Sequence, residues 1–187
     1  LVLGDYRIVV MNSNKQRALV DSKYNERCAE CMEGLALLQK IKTVYNLCDL
    51  TSADLGAVEA AITDECIFKR VRHCITENER VLAAVAALKA GDLPKLGELL
   101  KASHDSLRRD YEVTGLELDT LADAANAEPC CLGARMTGAG FGGCAIALVQ
   151  KDAVAEFTAR VGNAYTEKTG LTASFFACEA GDGARRV

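Results

Sequence analysis

Apolar and polar positions alternate with two different periods along this chain. RIVVM, residues 7–11, is nearly continuously apolar and β-branched, which predicts a buried strand. The polar NSNK breaks it. From Asp21 or Ser22, either of which can cap a helix, to about Lys42 the period becomes helical. Cys28, Cys31, Leu35 and Leu38 make one apolar stripe there, with Glu26, Arg27, Glu30 and Glu33 expected to face solvent. Thr51 and Asp54 resemble a capping box before a short helix. A longer helix is expected over 65–90, with Ile67, Val71, Ile75, Leu82, Val85 and Leu88 turned inward. Gly91 ends it, Asp92 caps the next helix, and Pro94 suits that helix's first turn. Leu96, Leu99, Leu100, Leu107 and Tyr111 continue the apolar face. Thr114 with Glu117 offers another capping box, opening a helix to about Asn126.

The period then shortens. CLGARMT and CAIALV read as two strands joined by a glycine-rich segment. Residues 152–168 return to a helical period, with Val154, Phe157, Val161 and Tyr165 inward and Gly170 as the stop. TASFFAC is a last strand and EAGDGARRV a polar tail. No internal repeat, low-complexity tract or linker interrupts the pattern. Helices gathered against a few mostly antiparallel strands make the fold class α+β.

Composition narrows the function classes. A chain of 187 residues suits one large domain, or one domain plus part of another. Half the residues are hydrophobic and only two are proline, which argues against disorder. A net charge of −4 with mixed signs leaves no basic footprint for nucleic acid and no polybasic strip for a membrane. Every apolar run is far shorter than the ~20 residues of a spanning helix. Nine cysteines, an odd count, include a lone C-x-x-C at Cys28 and Cys31 with no second pair at zinc spacing. They are expected to be buried free thiols in a reducing compartment. The chain opens on Leu1 rather than Met, so a start inside a longer protein is expected.

ARMTGAGFGGCAIALV, residues 134–149, is the segment that demands chemistry. Its Gly138, Gly140 and Gly143 satisfy G-x-G-x-x-G, but a dinucleotide fingerprint must open a helix, and these glycines open a strand. A protein-kinase glycine loop would need a strand lysine and H-R-D, and a P-loop would need G-K-[ST]; none is present. Two readings remain open on the residues alone. One is a hairpin with a glycine bulge, which composition favours. The other is a nest of backbone amides facing an anion.

GARMTGAGFGGCAIALV closely resembles the third motif of the GHMP kinases in its galactokinase form. VVMNSNKQRALVDSKYNERCAEC, SHDSLRRDYEVTGLELDTL and ASFFACEAGDGARRV are similar to further galactokinase segments, in the same order. The resemblance spans essentially the whole chain but only the C-terminal half of that family. The sugar-binding signature, the serine-rich phosphate loop and the catalytic aspartate segment of the family have no counterpart here. It implies a ferredoxin-like antiparallel sheet with helices packed on it. Residues 1–187 would form the GHMP kinase C-terminal domain, with residues 1–22 including a strand shared with an N-terminal domain. It implies transfer of the γ-phosphoryl group of ATP to the C1 hydroxyl of α-D-galactose, with Mg²⁺, in the cytoplasm. Tyr24 matches the tyrosine whose hydroxyl contacts galactose. Gly138, Gly140, Gly142 and Gly143 match the motif that supports the phosphate loop. No catalytic residue or metal ligand carries over, because these belong to the half that also binds most of ATP and Mg²⁺. Expected partners are galactose, ATP and the N-terminal domain, with no nucleic acid and no membrane. The chain alone is expected to be inactive and to expose apolar surface, which would favour a homodimer. Another GHMP kinase, acting for example on N-acetylgalactosamine, a non-catalytic sugar sensor, and a self-contained ligand-binding module are the alternatives.

Other constellations carry less. Without the resemblance, Tyr24 reads as a residue closing the core. Ser103, His104 and Asp105 are consecutive on a helix and point about 100° apart, so they cannot converge as a triad. His104 and His73 read as structural, and Arg108, Arg109, Arg185 and Arg186 as solvated charges. The turn 12–15 is expected to border the cleft. Cys28 departs from the family, where a basic residue is commoner, and is expected on an outer helix face.

Overall fold

The β-branched run near the start becomes the inside of a sheet. In the computed structural model, which describes residues 2–16 and 20–181, β1 (Tyr6–Asn12) lies between β3 (Cys144–Gln150) and β4 (Ser174–Cys178). β2 (Cys131–Thr137) completes the order β2-β3-β1-β4, with every pair antiparallel. That is the ferredoxin-like arrangement. Alternation sets the faces: Val9, Met11, Ala134, Met136, Ala145 and Ala147 all point into one core. The helices α5 (Gly115–Ala127) and α6 (Val154–Thr169) cover that face, adding Leu118, Leu121, Phe157, Val161 and Tyr165.

Between β1 and β2 the chain inserts α1 (Val20–Gln39), α2 (Leu55–Ala61), α3 (Glu65–Ala90) and α4 (Leu93–Ser106). A second core of Leu38, Val44, Leu47, Val58, Ile67, Val71 and Ile75 ties α1, α2 and α3 together. α4 packs on both α3 and β2 and so links the two cores. The free edge of β2 is covered by side chains. Ala134 N–H donates to Asn126 Oδ1 (2.8 Å), Asn126 Nδ2 donates to the Ala134 carbonyl (3.2 Å), and Met136 N–H donates to His104 Nδ1 (3.1 Å).

Several expected details differ. α1 ends at Gln39, not Lys42, and its buried face is rotated toward Arg27, Gly34 and Leu38. Arg27 and Glu30, expected outside, are drawn in by an ion network, and Gly34 lies where a Cβ would collide with Val71 of α3. Leu82 and Val85 are 63% and 44% exposed, not inward. The second half of α3 buries Ala87 instead, with Ala83, Ala84 and Leu88 half-buried, because small residues let α4 approach. Thr114 makes no cap bond to α5, and Glu117 pairs instead with Lys15 Nζ (2.8 Å). Thr51 does cap as expected, its N–H donating to Asp54 Oδ2 (2.9 Å), but on a short 3-10 turn (Ser52–Asp54) leading into α2. The cysteines are free, as expected, yet only Cys131 is buried; Cys48, Cys66 and Cys178 are exposed. Arg185 and Arg186 lie outside the described residues.

Candidate functional site

Two segments far apart in sequence meet at one cleft. β2 and β3 pair from Thr137↔Cys144 onward, which leaves residues 138–143 as the connecting loop. The loop is too long for a two-residue hairpin turn. Gly138, Gly140, Phe141, Gly142 and Gly143 all have positive φ, from 57° to 112°. Phe141 N–H donates to the Val113 carbonyl (2.8 Å), and a Cβ on Gly140 would fall on that same carbonyl oxygen. Gly143 accepts from Ser13 N–H (2.8 Å), and Gly142 is covered by the Lys15 side chain. The turn after β1 therefore borders the loop. The Phe141 amide is engaged by protein rather than turned toward an anion. Gly138 and Ala139 form the exposed apex, and nothing lies within 4 Å of a Cβ placed on Gly138.

α1 brings Tyr24 to this apex. Tyr24 is 54% exposed, so it closes no core. With Arg27, Leu107, Tyr111, Val113 and Met136 it lines an open cavity that Gly138, Ala139 and Phe141 complete. The cavity volume is about 110 Å³, below the roughly 300 Å³ at which small-molecule sites begin. Among the described residues no carboxylate or histidine lines it. Such a surface can bind and orient a ligand, and its described residues include no carboxylate or imidazole to act as a general base.

One wall of the cleft is an element the hydrophobic pattern did not reveal. α4 runs without a break into a single π-turn, Leu107–Tyr111, a distortion that recurs at functional sites. The π-turn ends at Glu112 with φ +54°. Tyr111 stacks on His73 with ring centroids 4.5 Å apart, and burial raises its hydroxyl pKa. The Cys31 and Cys74 sulfurs approach to 3.7 Å beside it. The hydrogen bond from Cys74 draws the Cys31 thiol down to about 7, while that same bond and burial push Cys74 up.

The remaining residues singled out in the sequence are structural. His104 is buried, accepts from Met136 at Nδ1 and faces Asp119 across 3.2 Å at Nε2, so its ring bridges β2 and α5. Ser103 bonds Glu77 instead of His104, and Asp105 pairs with Arg109. His73 is buried against Ser106 Oγ (2.9 Å), and burial lowers its pKa to about 4. Arg108 pairs with Asp119 (2.9 Å) and Asp123 (2.7 Å). Cys28 is half-buried at the side of α1. Among the described residues no group of three or more His, Cys, Asp or Glu could hold a metal ion, and no helix is long and apolar enough to cross a membrane. Sequence reasoning missed Arg27, Arg70 and the π-turn. The one available signal was the placement of Arg27 three residues after Tyr24, one helical turn away.

Comparison with known proteins meets this geometry. The family model described as GHMP kinases C terminal matches residues 84–167. A galactokinase of Enterococcus faecalis is 54% identical over 185 residues, which cover 99% of this chain and 48% of that protein. A galactokinase of Halalkalibacterium halodurans is 50% identical over 184 residues, 98% of this chain and 47% of that protein. The crystal structure of Lactococcus lactis galactokinase complexed with galactose superposes with a TM-score of 0.95 at 52% identity, covering 100% of this chain and 48% of that one. The L. major mevalonate kinase in complex with R-mevalonate shares the fold at 18% identity, with a TM-score of 0.52 over 91% of this chain and 42% of that one. The chain thus spans about half the length of the galactokinases it matches.

Proposed function

We propose that this chain, which carries the GHMP kinase C-terminal domain and is homologous to the C-terminal half of galactokinases, supplies one wall of a site that phosphorylates α-D-galactose at its C1 hydroxyl. The observation that carries the reading is the meeting of Tyr24 with the glycine-loop apex at one open cleft. The cleft, at about 110 Å³, is too small to be a complete site. A second lobe would close it, and would bring the serine-rich phosphate loop and the catalytic aspartate.

In this reading Tyr24 presents its hydroxyl to galactose. Gly138 would present the side-chain-free apex to the phosphate-gripping loop of that lobe, and Gly140, Gly142 and Gly143 would support that apex from beneath, against Val113, Lys15 and Ser13. The family implies ATP as the phosphoryl donor. Transfer of the γ-phosphoryl group depends on positioning and charge stabilisation. This chain would contribute the positioning: it holds the sugar against α1 and lets the phosphate loop approach the apex closely. Among the described residues no group of three or more His, Cys, Asp or Glu is gathered, and the reading assigns Mg²⁺ to the other lobe and routes no step through this chain. Residues 1–187 form the C-terminal domain in this account, although β1 is bonded on both sides within its own sheet. Nine free cysteines support a reducing compartment, and the reading assigns the protein to the cytoplasm.

The test is Tyr24→Phe in the complete protein. Loss of one neutral hydrogen bond should weaken galactose binding by about 0.5–1.5 kcal/mol, read as a rise in the KM for galactose. An unchanged KM for galactose would count against the role of Tyr24.

A further inference from the structure

Arg27 lies one helical turn beyond Tyr24, yet its side chain turns inward and is 7% exposed. Its Nε donates to the Tyr111 carbonyl (2.7 Å) and its Nη2 to the Glu112 carbonyl (3.3 Å). Its Nη1 meets both oxygens of Glu30, at 2.9 and 3.1 Å. Arg70 of α3, 2% exposed, completes the arrangement from the other side. Its Nη1 donates to the Asp110 carbonyl (2.6 Å), its Nε to Glu30 (2.7 Å) and its Nη2 to the Glu112 carboxylate (2.8 Å).

Two guanidinium groups therefore hold three consecutive carbonyls, those of Asp110, Tyr111 and Glu112, where the π-turn leaves the helix. Carbonyls at a helix end lack intrahelical partners, so a side-chain donor there fixes the path of the exiting chain. That path is strained, because Glu112 has a Cβ and a left-handed φ of +54°. The next residue, Val113, receives the Phe141 N–H and so holds the glycine loop. A continuous line of contacts runs from α1 through Arg27 to the π-turn, Val113 and the loop.

We propose that Arg27 is a positioning residue of the sugar-kinase site, setting the distance between Tyr24 on α1 and the glycine loop after β2. The inference rests on the function proposed above. The charge of Arg27 is balanced by Glu30, so its part is geometric. A planar fork with several fixed donors is needed to take two carbonyls and a carboxylate together, which a lysine ammonium cannot reproduce. A residue that merely stabilised the fold would affect both substrates alike and would not depend on Tyr24.

Steady-state kinetics of the complete protein test this, at a temperature well below the unfolding of every variant. In Arg27→Met and in Arg27→Lys the KM for galactose should rise about tenfold, as expected for a displaced contact, while the KM for ATP moves less than about twofold. Adding Tyr24→Phe to Arg27→Met should raise the KM for galactose by less than Tyr24→Phe does alone, since the two residues act on one contact. If Arg27→Met does not fold, Arg27→Lys carries the same comparison. An unchanged KM for galactose, equal changes in both KM values, or an undiminished Tyr24→Phe effect overturns the proposal. A wild-type protein unable to phosphorylate galactose would overturn the function reading and this inference together. An active wild type with insensitive Arg27 variants overturns this inference alone.

Discussion

Gly138 and Gly140 sit two residues apart in one loop, and different constraints act on them. Both have φ above +80°, which disfavours any side chain. At Gly140 a Cβ would also collide with the Val113 carbonyl of the same chain, whereas at Gly138 it would meet open space. Gly140→Ala should therefore destabilise the chain by about 2–5 kcal/mol, combining backbone strain with overpacking, and Gly138→Ala by only about 1–2 kcal/mol. Urea denaturation of both variants measures the difference. Equal losses would mean that the Val113 contact is not what fixes Gly140. The glycine loop was legible as a site from its motif, but the reason for each glycine was not. Expecting all four to clear space for a neighbouring lobe overlooked Val113, which approaches Gly140 from a segment 27 positions away in sequence. Only the exposed apex at Gly138 and Ala139 remains free to meet such a lobe.

At the scale of elements, α4 must lie close to β2 for the two cores to join. Gly97 and Gly133 permit this: a Cβ on Gly97 would fall on the Leu132 carbonyl, and one on Gly133 on the Gly97 carbonyl. Gly97→Ala should cost about 1–3 kcal/mol in thermal or urea unfolding, the usual range for overpacking. Gly56→Ala is the matched control, since that position on α2 has open space, and it should stabilise by about 0.5–1 kcal/mol. A neutral Gly97→Ala would show that α4 can shift outward freely. The strands were legible almost to the residue, because Gly138 ends CLGARMT and Gly143 opens the continuous apolar run CAIALV. The faces of the long helices were less so. α1 buries Arg27 and half-buries Glu30, and a hydrophobic period is blind to charged residues whose partners lie on distant segments. α3 turns alanines rather than Leu82 and Val85 toward α4, which a count of large side chains cannot anticipate. The π-turn leaves no local signature, since its register is set by Arg27 and Arg70 from other helices.

For the whole molecule, the two cores and the clamp between them present one open cleft with a tyrosine on one wall and a glycine apex on the other. Among the described residues no carboxylate or imidazole lines that cleft to take the proton that phosphorylation of a hydroxyl releases. The proposed function has another lobe complete the chemistry, and the chain covers about half of the galactokinases it matches. The most direct measurement is ADP release, coupled to a spectroscopic readout, with galactose and ATP supplied to the 187-residue chain and to the complete protein side by side. The account predicts galactose-dependent ADP release from the complete protein and none from the chain alone. Turnover by the chain alone, or a complete protein indifferent to galactose, would contradict it.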